Sequence, residues 1–350
     1  MTGQEIMSFC AQVCKGSRTS ALVGFSVTST DNNRLLVKVA RLYYEEELTQ
    51  AQIAARLRIS RQKAQRLITQ ARIEGVVQIA INPLMGIYSD IEKGLEKRFR
   101  LREAVVVETT AYEDQPTVAR ELGAGAAEYL LRVLRPHDKI VISWGGSLLG
   151  MVNTLSFGAR TELQDISVIQ GLGGLVDPNH EEHATELVRR LARALSAKAI
   201  LLPAPGVAGS QAARDAFLKD PFVSKALHLA CGANLAVMGI GAPDPNSLLV
   251  REGSIVNWRQ LSDLAKRGAV GDINLRYFDK HGTHIRSDLD DNVIGLTLKQ
   301  IQEIHHVVGI AGGAAKLAAI AGALEGRLIH ALITDHRTAH RLLDIPKGAI

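Results

Sequence analysis

Apolar positions in residues 49–74 recur every three or four places, with Ala51, Ile53, Ala54 and Leu57 in the first half and Ala64, Leu67, Ile68 and Ala71 in the second. This spacing predicts two short helices, each with one buried stripe. Leu57-Arg58-Ile59 breaks the pattern between them. Thr49 and Ser60 stand where N-caps are needed, because a hydroxyl accepts from the free amides of a first helical turn. Two capped helices around a tight turn match the helix-turn-helix unit, whose second helix enters the DNA major groove. A helix over residues 33–46 is expected before the unit. After it, Val76-Val77-Gln78-Ile79-Ala80-Ile81 alternates loosely and is rich in β-branched residues, which predicts a wing strand ended by Asn82-Pro83.

A helix over 89–99 leads into a different pattern. From residue 104 short apolar runs alternate with helical segments. Strands are predicted at 104–107, 139–142, 167–169, 199–202, 235–238, 307–310 and 331–333, and helices at 118–134, 185–194, 211–218, 258–266, 298–304 and 313–324. Fully apolar strands separated by amphipathic helices indicate a mostly parallel sheet covered on both faces, an open α/β fold. The expected organisation is a flexible leader over 1–28, a helix-turn-helix domain over 29–83 and an α/β domain over 84–350. No internal repeat or low-complexity tract interrupts it.

The charge follows this division. The chain carries 41 Lys+Arg against 36 Asp+Glu, a net charge of +5. The first 83 residues hold 11 basic and 6 acidic side chains, and the remainder holds 30 of each. A basic module on a neutral body is expected to grip phosphate backbone at one end, so double-stranded DNA is the expected partner. The outward face of the second helix is Arg61, Gln62, Lys63, Gln65, Arg66 and Thr69. Arg61, Gln62 and Gln65 suit base edges, because arginine pairs with guanine and glutamine with adenine in bidentate geometry. Arg58, Lys63 and Arg66 suit phosphates, and Thr49 and Ser60 at the helix starts complete the DNA-facing set. A solvated face of a plain helical hairpin is the competing reading.

Several classes are not expected. No run of 18 apolar residues spans a membrane, and the first residues lack a signal-peptide pattern, so a cytoplasmic protein is expected. Cys10, Cys14 and Cys231 are too few for a disulfide framework, and no partner ligand lies near the first two. His180-Glu181-Glu182-His183 lacks the HExxH spacing, and His305 and His306 read as structural. No metal or cofactor is expected.

Three glycine-rich loops follow predicted strands: Ser143-Trp144-Gly145-Gly146-Ser147, Gly171-Leu172-Gly173-Gly174 and Gly239-Ile240-Gly241-Ala242. Open α/β sheets bind ligands at the carboxyl ends of their strands, and glycine lets backbone approach a ligand closely. Ser147 would add a hydroxyl at a helix start. Asp272, in a run of small residues, is suited to accept hydroxyl hydrogens of a polyol. Lys316, at the start of an apolar helix, opposes the helix dipole unless it faces a phosphate or carboxylate. A turn aspartate and a solvated lysine are the structural alternatives. Enzymatic turnover needs a general base. Asp272 is the one candidate and lacks a partner acid, so the chain is expected not to be an enzyme. The alternative is an active sugar-phosphate isomerase or deaminase with a DNA-binding appendage.

From about Arg34 onward the chain resembles the SorC family of bacterial sugar-responsive transcriptional regulators. The carrying features are RLYYEEELTQAQIAARLRISRQKAQRLITQARIEGVV, ISWGGSL, GAVGDINLRYFDKHG and VVGIAGGAAKLAAIAGAL. The resemblance implies an N-terminal helix-turn-helix and an effector domain similar to sugar-phosphate isomerases. It also implies dimers or tetramers whose DNA affinity changes when a sugar, polyol or sugar phosphate binds. Carried over by motif, effector contacts fall at Gly145, Gly146, Ser147, Asp272 and Lys316, with Gly173 and Gly241 in the neighbouring loops. The second loop carries no basic residue, which speaks against a covalent adduct and for a monophosphate or a free polyol.

Overall fold

The computed structural model describes residues 27–78, 88–156, 164–174, 184–244, 256 and 258–346. The leader with Cys10 and Cys14, the end of the expected wing at 79–83 and the cluster at 180–183 lie outside these residues. The chain divides into two compact units, Met1–Asn82 and Pro83–Ile350.

The first unit is three helices, α1 (Val27–Tyr44), α2 (Gln50–Leu57) and α3 (Arg61–Ile73). The first of these begins earlier than the expected 33–46, inside the segment read as leader. Leu36, Val39, Ala40 and Leu42 of α1 close over Ile53 and the α3 stripe Ala64, Leu67, Ile68 and Ala71. Thr49 and Gln52 form a reciprocal capping box at the start of α2. Residues 76–78, the first half of the expected wing, are bend and irregular chain, not strand.

The turn between α2 and α3 depends on Arg58, whose backbone is left-handed at φ 52° and ψ 45°. A side chain there costs about 1–2 kcal/mol, of which glycine recovers part after its own entropy loss of about 0.5–1 kcal/mol. Arg58→Gly is therefore expected to raise the melting temperature slightly while weakening DNA binding, as read by thermal melts and anisotropy titration. A lowered melting temperature with unchanged DNA affinity would contradict both roles.

The second unit is built on a seven-stranded parallel sheet in the order β1-β9-β8-β5-β2-β3-β4. The strands are β1 (Glu103–Val107), β2 (Lys139–Ile142), β3 (Ser167–Gln170), β4 (Lys198–Ile200), β5 (Leu235–Gly239), β8 (His306–Ile310) and β9 (Ala331–Asp335). Both faces are covered, and alternate residues of one strand enter different cores. Leu235 and Val237 of β5 pack with α5 (Gln115–Val133), α6 (Gly146–Ser156) and α7 (Ala184–Ala194). Ala236 and Met238 pack on the other side with α4 (Ser89–Phe99) and the C-terminal helices. That two-sided burial is why the strands read as unbroken apolar runs.

Differences from the expected elements are local. Strand β4 starts at Lys198 and ends at Ile200, earlier than the expected 199–202. The expected helix at 313–324 splits into a 3-10 turn, Ala314–Lys316, and an α-helix, Leu317–Glu325. Helices Pro221–Cys231 and His336–Asp344 add to those expected. A two-stranded hairpin, β6 (Gly271–Ile273) and β7 (Arg276–Phe278), was not expected at all. It carries Asp272.

Candidate functional site

On α3 the buried stripe leaves Arg61, Gln62, Gln65, Arg66 and Thr69 exposed and Lys63 half-buried. The Ser60 hydroxyl accepts from the Lys63 amide at 3.1 Å. The Gln52 carboxamide oxygen accepts from the Thr49 amide at 2.9 Å. Both capping residues thus hold helix starts, whose remaining amides face outward. Arg56 is paired with Glu46 at 2.6 Å. Among the described residues, no ion pair or side-chain hydrogen bond engages Arg58, Arg61, Gln62 or Arg66. Their donors stand free on a surface with no carboxylate of α3 beside them.

In the α/β unit the sheet order reverses between β2 and β5: chain order runs outward through β3 and β4 on one side, then through β8 and β9 on the other. Such a switch point leaves a crevice at the carboxyl ends of the two strands. The first and third glycine loops flank it. The Ser143 hydroxyl, buried, accepts from the Gly239 amide at 3.3 Å and ties the two loops together. Gly146 is exposed, Gly145 is half-buried, and Ser147 is buried in the first turn of α6.

The second glycine loop serves a different end. The Gly173 amide donates to the Ile294 carbonyl at 2.9 Å, so it is already engaged. A Cβ at Gly173 would lie 2.4 Å from the Pro205 carbonyl oxygen. Its glycine is demanded by backbone packing.

Gly241 and Asp272 are held together by two backbone hydrogen bonds, 2.9 and 3.1 Å, in an antiparallel bridge. A Cβ on Gly241 would sit 2.0 Å from Asp272 Oδ1, so only glycine leaves that carboxylate oxygen its place. The other oxygen, Oδ2, accepts from the Leu275 amide at 3.1 Å. Burial pushes the Asp272 carboxyl up to about 6, with the Leu275 amide and the Lys316 charge acting in the opposite direction. Desolvation likewise pulls the Lys316 ammonium down while Asp272 supports it. Lys316 as a whole is only half-buried, which tempers that pull. The two charges feel each other, yet no ion pair within 4.0 Å joins them among the described residues. A desolvated carboxylate and ammonium held apart are the arrangement a polar ligand can bridge.

Sequence reasoning missed the residues that aim this pair. Asn274 and Leu275 form a two-residue hairpin turn, both at φ 60°. Asn274 donates to the Gly171 and Leu296 carbonyls at 3.0 Å each, anchoring the hairpin to the second glycine loop. The usual signal for such a turn is Asn-Gly, and leucine at its second position hides it. On the other side, fully buried Asp335 accepts from the Gly313 amide at 2.7 Å and fixes the turn that leads to Lys316. It also caps the following helix through the Thr338 amide at 2.8 Å. Asp335 at the end of an apolar strand and before a helical pattern was the available cue.

Comparison with known proteins gives one answer. The Sugar-bind family of sugar-binding domains matches residues 86–344. The sorbitol operon regulator of Klebsiella pneumoniae is 30% identical over 322 residues, covering 90% of this chain and 99% of that protein. The deoxyribonucleoside regulator of Bacillus subtilis strain 168 is 29% identical, covering 90% of this chain and 98% of its own length. The solved structure of the full-length sorbitol operon regulator SorC from Klebsiella pneumoniae superposes with a TM-score of 0.67, covering 90% of this chain and all of that one. These relatives are named as regulators and not as enzymes. Among the described residues, no helix is long and apolar enough to cross a membrane. The chain belongs to the SorC family of sugar-binding transcriptional regulators.

Proposed function

We propose that this regulator reads its operator with α3 and senses its effector in the crevice between β2 and β5. Arg61, Gln62 and Gln65 contact base edges, and Arg58, Lys63 and Arg66 contact phosphates. Thr49 and Ser60 hold the two helix N-termini against the DNA backbone. The domain boundary this requires lies at 83/84, with the DNA module before it and the effector and oligomerisation domain after it. A dimer or tetramer of the chain presents paired recognition helices to half-sites about one helical turn or a multiple apart.

The effector is a sugar, polyol or sugar phosphate of a carbohydrate catabolic operon. Gly145, Gly146 and Ser147 offer donors at the start of α6. Asp272 accepts hydroxyl hydrogens, and Lys316 faces the ligand's anionic or hydroxyl end. Gly173 and Gly241 act through shape, by keeping loop and carboxylate in position. The observation that carries the reading is the buried Asp272 carboxyl and the half-buried Lys316 ammonium, coupled in charge without an ion pair. Binding shifts DNA affinity only as far as the effector prefers one conformation over the other.

A thermal-shift screen against sugars, polyols and their phosphates tests the effector class, because a ligand that binds the folded state raises the melting temperature. Lys316→Ala is expected to weaken a phosphorylated effector about tenfold more than its unphosphorylated counterpart, as a charge-assisted hydrogen bond is worth about 1.5–3 kcal/mol. Equal losses would remove Lys316 from phosphate recognition. Turnover of any sugar phosphate by the pure protein would overturn the sensing role in favour of catalysis.

A further inference from the structure

The hairpin that carries Asp272 presents a second cluster. Asp272 pairs with Tyr277 and Ile273 with Arg276, and adjacent cross-strand pairs point to opposite faces. Arg276 lines a cavity of about 450 Å3 whose walls also carry Arg214, His284, Arg286 and Lys299. Asp290 and Asp291 are the carboxylates there. Neither Asp272 nor Lys316 lines it, so it is separate from the proposed effector pair.

Four arginine and lysine side chains line the cavity against these two carboxylates. Asp290 Oδ1 is taken by Arg276 at 3.1 Å and by His284 at 2.8 Å, and Oδ2 by the Ser287 amide and hydroxyl at 2.9 and 3.0 Å. Nothing of Asp290 is left for Arg286 or Lys299. Both of those side chains are exposed, and neither makes an ion pair among the described residues. Arg214 donates through Nε to the Asp291 carbonyl at 2.9 Å and lies 3.4 Å from Asp215. Arg276 is only 6% exposed, and its Nε has no partner among the described residues. Burial pulls the Arg276 guanidinium down, and the charge of Arg214 adds to that pull against the support of Asp290 and, more weakly, of Asp291. Guanidiniums that repel one another beside two free cations are stabilised by an oxyanion, which accepts several donors at once.

We propose that this cavity is a second anion site, on the opposite face of the hairpin from Asp272, that takes the phosphate group of a small metabolite or free inorganic phosphate. The site stands independently of the effector crevice. It places an anion behind the two strands that position the effector carboxylate.

The test is calorimetric titration of the full chain with inorganic phosphate and, separately, with glycerol 3-phosphate, at constant ionic strength in chloride. Wild type is expected to show saturable binding of one or both. The double variant Arg286→Ala, Lys299→Ala, altered only at exposed side chains, is expected to bind about tenfold or more weakly. Lys316→Ala is expected to retain this binding. Tighter binding of glycerol 3-phosphate that the double variant loses and Lys316→Ala keeps assigns the site to a phosphorylated metabolite, and equal binding assigns it to free phosphate. Absence of saturable binding, undiminished binding by the double variant, or its loss in Lys316→Ala overturns the proposal. A changed solution mass of the double variant without a changed phosphate affinity also overturns it, because the cluster then serves a second copy of the chain.

Discussion

Replacing Arg61 and Gln62 together with alanine is expected to abolish operator-specific binding while leaving effector-induced thermal stabilisation unchanged. Each bidentate base contact contributes about 1–3 kcal/mol of discrimination, so two together amount to roughly 2–6 kcal/mol, at least thirtyfold in affinity. The fold has little stake in either side chain. Both are exposed, and alanine suits a helix whose packing rests on Ala64, Leu67, Ile68 and Ala71. Lys63, Arg66 and Arg58 remain to hold DNA weakly and without sequence preference, in a salt-dependent way. Anisotropy titration against operator and unrelated duplexes at one salt concentration reads this directly. Loss of effector stabilisation in the same variant would show that the helix is not a separable arm.

The second large effect concerns pH. The Asp272 carboxyl is raised from 3.8 to about 6 in the folded protein. The raised carboxyl takes nothing from stability below its unfolded value, where both states are protonated, takes progressively more as pH climbs from 3.8 to about 6, and takes a constant amount above that. The full penalty is at most about 3 kcal/mol, from two units at 1.36 kcal/mol each. Asp272→Asn keeps an oxygen for the Leu275 amide and removes the charge. It is therefore expected to melt higher than wild type at pH 7.5, with the difference vanishing by about pH 4. Effector stabilisation should fall in the same variant, because an amide accepts hydroxyl hydrogens less well than a carboxylate. Parallel melting curves at every pH would show that Asp272 carries no such penalty. Both outcomes together would place Asp272 in the general trade of stability for a functional site.

How much of this could be read from the chain depends on the range of each signal. Thr49, Ser60 and the stripe from Ile53 to Ala71 act through neighbours three or four residues away, so the helix-turn-helix is written in local spacing. The inner strands were equally plain, because burial on both faces leaves no polar alternation to blur them, whereas the exposed edge strand β4 was placed late. The hairpin escaped notice because each strand is three residues long and its turn holds leucine where glycine is usual. Asp272 and Lys316 stood out as oddities in apolar runs. Their separation, and the roles of Leu275 and Asp335 in fixing it, arise from contacts distant in sequence or hidden by an unusual turn. The glycine loops looked alike as text. Only the positions of Pro205 and of Asp272 distinguish a glycine that clears backbone from one that clears a carboxylate.

The pairing of β1 with β9, Glu103 against Ala331 through Val107 against Asp335, joins the first and last strands of the sheet. During synthesis the three-helix arm is finished by residue 78, while the sheet cannot close until residue 335 has left the ribosome. At roughly 5–20 residues per second, the intervening stretch of about 260 residues takes on the order of 13–50 s. Local helical contacts form far faster than that. Every nascent molecule therefore passes through an interval in which the three-helix arm is complete and the sheet is not. A chain released early in that interval would hold DNA weakly, through a single arm, and answer to no sugar.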